Sequence, residues 1–234
     1  MPRISVLMAA YNNASTVTSA VFSILQQTFQ DLEFIIVNDG STDDSGRQLR
    51  DLARQDQRIV LIEQSNHGLT QALVRAAALA RGRYIARQDA DDVSELSRLE
   101  RQMSFVPRYD VVATRSRRED GRPRPSIPIA LLHRYVLPFR NPFYHGTLLM
   151  KKEVFERAGG YDPAFPYAQD YDLMARLAVD RSVRIKYLLE PLYRTGSAAT
   201  SISMARRTEQ EECARRVRDR IALDLWGVVE RWRA

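Results

Sequence analysis

The chain has 234 residues, 44% hydrophobic and 27% charged, which suffices for one large domain with its own core and is ordinary for a globular protein. Its formal net charge of +6 comes almost wholly from arginine and raises nucleic acid or an anionic membrane surface as partners. A single cysteine, Cys213, excludes an internal disulfide framework and a cysteine metal site, and no apolar run approaches the ~20 residues that span a bilayer, so a cytoplasmic location is expected. The apolar start MPRISVLMAAY is short, and Tyr11-Asn12-Asn13 leads straight into an amphipathic segment, so it reads as a first strand rather than a signal peptide.

Ile4 to Ala9 reads as that buried strand, and a helix from about Ser15 to Gln26 carries Val17, Val21, Ile24 and Leu25 at helical spacing. A second strand, Glu33 to Asn38, runs into DGSTDDS. A polar helix from Ser45 to Gln55, a strand Ile59 to Glu63, a loop Gln64 to Gly68 and an alanine-rich helix Thr70 to Ala80 follow. The strand Tyr84 to Ala86 then leads into RQDADD. Strands alternating with helices at this rhythm predict an α/β fold with a mainly parallel sheet, whose ligands sit at the carboxyl ends of the strands. AAYNNAST, after the first strand, holds no glycine, so neither a dinucleotide-binding GxGxxG nor a phosphate-binding P-loop is present.

Parallel neighbours would bring Tyr11, Asp39 and Asp89 to one crevice. An aromatic face can stack on a base and a carboxylate can accept its ring N–H, although singly these residues also read as a half-buried aromatic and a turn. In RQDADD, Asp89 and Asp91 share a face in extended geometry while Asp92 turns aside. Hard oxygen donors at this spacing suit Mg²⁺ or Mn²⁺; the competing reading is an acidic turn capping the next helix. Arg87 pairs either with this motif or with a diphosphate.

Thr114 to Pro128 is basic, with three prolines and one glycine, and reads as a mobile loop whose Arg115, Arg117 and Arg118 are either solvated or turned to an anionic acceptor. His145 heads an apolar strand, Thr147 to Met150, and is either a contact to phosphate or metal or a core residue. Gly159-Gly160-Tyr161-Asp162 is a helix stop and turn. In AQDYDLMARLA a helix begins near Asp170, so Asp170 and Asp172 have simple readings as a cap and a first-turn acid. The last thirty residues place Val217, Ile221, Leu225, Val228 and Trp232 at helical spacing among many arginines and offsetting acids. That tail is expected to pack on its own domain or, as a dimer contact, on a second copy. Peripheral contact with the inner face of the cell membrane is the alternative.

Together, VLMAAYNN, FIIVNDGSTDDS, the Asn66–Gly68 loop, YIARQDADD and GGYDPAFPYAQDYDL resemble the family 2 glycosyltransferases of GT-A fold, from about Ile4 to Leu177, with a weaker trace at Tyr193-Arg194. The resemblance implies a GT-A domain over 1–200, its nucleotide-sugar half 1–92 and acceptor half 93–200, with a helical tail over 201–234. It implies an inverting transfer of a sugar from a nucleotide-diphosphate donor, a UDP-sugar above all, to a hydroxyl of a saccharide or lipid-linked saccharide, in surface polysaccharide or glycolipid synthesis and with no nucleic-acid partner. Tyr11 and Asp39 would hold the base and Asp89 the ribose. Ala9, Asn12, Asn66, Gly68, Arg87 and Ala90 would line the donor site. Asp91, Asp92 and His145 would hold Mn²⁺ or Mg²⁺ in the DxD manner, and Asp170 would be the general base. Gln169 stands where the family often has Glu. A sugar-nucleotide nucleotidyltransferase would want a glycine-rich loop after the first strand. A non-catalytic nucleotide-sugar or polyanion binder would not need Asp39, Asp89, Asp91 and Asp170 all intact.

Overall fold

The computed structural model describes residues 2–118, 120–196 and 206–231, without the side chains of 207 and 223–231. Strands β1 (Ile4–Ala10), β2 (Leu32–Asp39), β3 (Ile59–Gln64) and β4 (Tyr84–Arg87) pair in parallel, joined by helices α1 (Val17–Leu25), α2 (Ser45–Gln55) and α3 (Leu69–Ala78). Strand β2 is buried along its whole length because both faces of the sheet are covered. Its side chains alternate accordingly. Phe34 and Ile36 join Val17, Val21 and Ile24 of α1 and Leu49 of α2, while Ile35 and Val37 join Ala72, Leu73 and Ala76 of α3 on the other face.

The second half extends this sheet with strands of both directions. β5 (Val93–Ser94), α4 (Arg98–Met103), β6 (Val111–Arg117), β7 (Pro123–Arg124), the short helices α5 (Ile127–Leu131) and α6 (His133–Val136), β8 (Leu149–Lys151), α7 (Lys152–Arg157), α8 (Gln169–Val179), β9 (Ile185–Arg194) and α9 (Arg207–Arg231) follow in order. Among the described residues the nine strands run β3-β2-β1-β4-β8-β6-β9-β5, with β7 on β6. β8 is antiparallel to β4 and β6, and β9 is parallel to β6.

Two expected segments differ. Thr114 to Arg117 are not loop but the end of β6, paired with both β9 and β7. The physical reason is Arg115, whose guanidinium donates to the carbonyls of Pro125 (2.8 Å), Pro123 (3.2 Å) and Leu189 (3.4 Å) and latches the proline-rich return onto the sheet. The strand expected over Thr147 to Met150 starts later, because His145–Thr147 form a single 3-10 turn closed by the Thr147 hydroxyl donating to the Tyr144 carbonyl (2.7 Å).

Helix α9 packs on α8, burying Cys213, Val217 and Ile221 in the core beside Leu173, Met174 and Leu177. Arg216 and Arg220 lie over the Phe165 ring. Fully buried Asp172 accepts from Arg176 (2.6 Å) and Arg220 (2.8 Å) and is the electrostatic pin between the two helices. Asp172→Ala removes the buried carboxylate shared by Arg176 and Arg220 and is expected to cost about 3 kcal/mol, read as a lower urea midpoint at unchanged slope. The side chains of Leu225 and Val228, and Trp232 with Arg233, lie outside the described residues. Among the described residues no helix is long and apolar enough to cross a membrane.

Candidate active site

The loops leaving β1 and β2 are fastened to each other by side chains of DGSTDDS. The Ser41 hydroxyl accepts from Asn12 N–H (3.0 Å), Asp43 from Ala14 N–H (3.0 Å) and the Ser45 hydroxyl from Asn13 N–H (2.8 Å), while Asn12 Oδ1 accepts from Thr42 N–H (2.8 Å). Asn12 takes a left-handed φ of 54°, which asparagine tolerates, so the loop turns without a glycine. Tyr11 emerges beyond this clamp, about half exposed, with a face open to stacking.

Asp39, at the end of β2, is almost completely buried. It accepts from Gln64 Nε2 (2.7 Å) and the N–H groups of His67 (2.9 Å) and Gly68 (2.8 Å), so it shapes the Gln64–Gly68 loop. A carboxylate has about four acceptor positions, and the protein takes three here. Gly40, with φ 74°, brings the chain close under that loop: a Cβ there would lie 2.6 Å from Asn66 N. The β1–β2 register, with Ala9 against Val37 and Ala10 against Asn38, places Tyr11 and Asp39 at the same end of the sheet.

The acidic turn comes next, reached from the β1 loop through the Thr16 hydroxyl on the Ala90 carbonyl (3.0 Å). Its backbone is held from inside by buried Gln88, which donates to the carbonyls of Asp89 (3.0 Å) and Asp92 (2.9 Å) and accepts from the Ser94 hydroxyl (2.7 Å). Arg87 is buried, donates to the Leu7 carbonyl (3.1 Å) and pairs with Asp89 at 2.5 Å. Asp92 is also buried; it accepts from Gly196 N–H (2.8 Å) and the Tyr193 hydroxyl. Asp91 receives no side-chain hydrogen bond among the described residues and keeps some exposed surface.

Three carboxylates therefore share one close guanidinium. Burial, then the Asp89 charge, raises the Asp91 carboxyl. Burial, then Asp89 and Asp91, pushes Asp92 up to about 8. Surplus negative charge on hard oxygen donors fits a divalent cation. No group of three or more His, Cys, Asp and Glu among the described residues is arranged to hold a metal by itself. His145 stands apart from this set: its Nε2 is taken by the Tyr161 hydroxyl (2.9 Å), and burial, then the Arg87 charge, holds its pKa well below the usual range.

Asp170 approaches from the other half. Ala168, left-handed at φ 59°, caps α8, so Asp170 lies in the first turn rather than at the cap. Its Oδ2 accepts from Asn141 Nδ2 (2.7 Å). The residue is deeply set yet keeps some open surface. Burial raises its pKa and the Asp89 charge adds to this, against lowering by the Tyr171 N–H and Asn141. Burial pushes the Tyr161 phenol up, against lowering by the Arg87 charge.

Arg98 and Gly146 of this site are not marked in the sequence, and Tyr193 is only a weak trace there. Tyr193, from β9, accepts from Asp89 N–H (3.0 Å), and fully buried Arg98 spreads its charge over the Tyr193 ring. Arg98 donates to the carbonyls of Gly146 (2.6 Å) and Arg87 (3.1 Å), and burial lowers its pKa to about 10. Gly146 must be glycine: a Cβ would land on the Tyr193 hydroxyl and lie 2.9 Å from Asp89 Oδ2. Gly146→Ala is expected to lower stability by about 1–3 kcal/mol by overpacking, measured by urea denaturation.

A family model described as Glycosyl transferase family 2 matches residues 5–161. The O-antigen biosynthesis glycosyltransferase WbnJ of Escherichia coli is 34% identical over 74% of this chain and 71% of its own length. A protein of Haemophilus influenzae described as an uncharacterized glycosyltransferase is 27% identical over 93% of this chain and 72% of its own length. The solved structure of the mannosyltransferase PcManGT from Pyrobaculum calidifontis, in complex with GDP-Man and Mn²⁺, superposes with a TM-score of 0.72 at 21% identity, over 88% of this chain and 60% of that one.

Proposed function

The chain belongs to the family 2 glycosyltransferases, and from that premise we propose that it moves a sugar from a nucleotide-diphosphate donor to an acceptor hydroxyl, with inversion, in the synthesis of a surface polysaccharide. The observation that carries this reading is the deeply set Asp170 carboxylate in the first turn of α8, held by Asn141 at 2.7 Å, in a chain that also carries the Asp89–Asp92 acidic turn. In a single displacement the acceptor oxygen bonds to the anomeric carbon as the bond to the phosphate oxygen breaks, and Asp170 takes the hydroxyl proton. The nucleoside diphosphate leaves from the opposite face. Asp91, with Asp89 and Asp92 around it, would hold Mn²⁺ or Mg²⁺, which when bound supplies positive charge to the departing diphosphate. O-antigen synthesis by the relative WbnJ, and GDP-Man with Mn²⁺ in PcManGT, are in keeping with this assignment.

Tyr11 would stack on the base, with Asn12, Asn66 and Gly68 forming its rim and Ala9 and Ala90 its floor. Asp39 has one acceptor position left for a ring N–H, which uracil and guanine carry and adenine and cytosine lack. A thermal-shift screen of the four nucleoside diphosphates with and without Mn²⁺ tests this. UDP or GDP should raise the melting temperature only with metal, equivalent to about 2.7 kcal/mol at a hundred times Kd. A folded protein that responds to none of them would sink the reading.

A further inference from the structure

Beside Asp170 a cavity of about 500 Å³ is lined by Arg118, Arg122, Arg124 and Arg140, with Asn141 and Tyr144 on its inner wall. Ligand pockets commonly fall in the range of about 300–1,000 Å³. Among the described residues no acidic side chain lines it. Arg124 has one partner, Asp120 at 3.6 Å, and both are about half exposed. The guanidinium groups of Arg118, Arg122 and Arg140 make no hydrogen bond or ion pair among the described residues. Arg115 of the same strand-and-loop segment, by contrast, is saturated by three carbonyls. The fold thus latches this segment with one arginine and leaves the others aimed at solvent-filled space.

The inner wall joins the cavity to the chemistry. Asn141 holds the Asp170 carboxylate. The Tyr144 ring lies 6.0 Å from that of Tyr193, whose hydroxyl accepts from Asp89 N–H. Asn141 therefore connects one side of the space to Asp170, and the arginines line the rest. An acceptor with a neutral sugar at one end and an anion at the other fits in only one direction. Guanidinium forks favour phosphate, which they bind with two parallel hydrogen bonds.

We propose that this cavity is the acceptor's anion site, in which Arg118, Arg122, Arg124 and Arg140 bind a phosphate ester carried by the acceptor and so direct its sugar hydroxyl to Asp170. The assignment rests on the glycosyl-transfer reading for its purpose, but the phosphate site stands or falls on its own measurement. Beyond the cavity, α5 and α6 expose Ile127, Leu131, Leu132, Tyr135 and Phe139, a surface suited to a hydrocarbon chain on the phosphate.

Calorimetric titration with farnesyl phosphate and with glycerol 3-phosphate tests the site. At least one probe should bind the wild-type chain, lose affinity at least tenfold in Arg122→Ala/Arg140→Ala, and weaken with added salt. Tighter binding of farnesyl phosphate assigns the phosphate to a lipid carrier; equal binding assigns it to a soluble or polymeric phosphate ester. Saturating UDP or GDP with Mn²⁺ should leave probe binding in place. Displacement by nucleotide would give the arginines to the donor instead, and failure of both probes to bind, or unchanged affinity in the double variant, would equally overturn the proposal. Melting curves check that the variant is folded, and Arg122→Lys/Arg140→Lys, which keeps charge but not the fork, replaces it if it is not. Failure of the glycosyl-transfer reading shows separately, as absence of any metal-dependent nucleotide shift with probe binding intact.

Discussion

Asp170→Asn lowers kcat by about 10²–10⁴-fold and leaves the metal-dependent nucleotide shift in place. The amide keeps the shape of the carboxylate, and its oxygen can still accept from Asn141, so what is lost is the proton acceptor. The pH profile gives the same prediction a second readout. The Asp170 pKa is raised above its ordinary 3.8, chiefly by burial. Activity that needs the carboxylate therefore falls on the acid side through a pKa above the usual carboxylate range, and this limb disappears in the variant. Stability runs the other way. A raised folded-state pKa means the native state holds the proton more tightly than the unfolded chain, so ionising Asp170 destabilises the fold as pH rises from its ordinary value through its folded value. The variant should therefore be more stable than wild type at neutral pH, with the difference closing below the ordinary value. Steady-state kinetics and urea melts across pH measure both; full activity in the variant would remove Asp170 from the base role.

Asp91→Ala has the second large effect: loss of the Mn²⁺-dependent nucleotide shift and about a thousandfold lower kcat, the scale of several kcal/mol of charge stabilisation on the leaving group. It should do this without unfolding the chain. Asp91 accepts nothing from neighbouring side chains, and removing it relieves repulsion on Asp92. Asp92→Ala is the informative contrast. It frees the Gly196 N–H and the Tyr193 hydroxyl, so its loss should appear first as a lowered melting temperature. If both variants lost stability and metal response together, the acidic turn would be scaffold rather than ligand.

The parallel half of the sheet was legible because local pattern and tertiary role coincide there. β2 is hydrophobic throughout since both its faces are covered, and α2 occupies Ser45–Gln55 as its composition suggests. The candidate acids were legible because three of them, Asp89, Asp91 and Asp92, cluster in one short turn and Asp170 sits in a recognisable run. Their supports were not. Asn141 reaches Asp170 from 29 residues away and Tyr193 reaches Asp89 from 104, and nothing beside either residue in the sequence announces the partner. The latching of Thr114–Pro128 by Arg115 was hidden for the same reason, since a guanidinium on backbone carbonyls has no pattern of its own. His145, at the head of its strand, gave no sign in the sequence that its Nε2 meets the Tyr161 hydroxyl.

The side-chain clamp between the loops after β1 and β2 also bears on the thermodynamics of association. Ordering an interface commonly costs about 0.5–1.5 kcal/mol for each side chain that becomes immobilised on binding. Here Asn12, Ser41, Asp43 and Ser45 are already fixed to backbone partners in the free chain. Their entropy is surrendered during folding, so a nucleotide bound as proposed would meet a preorganised rim.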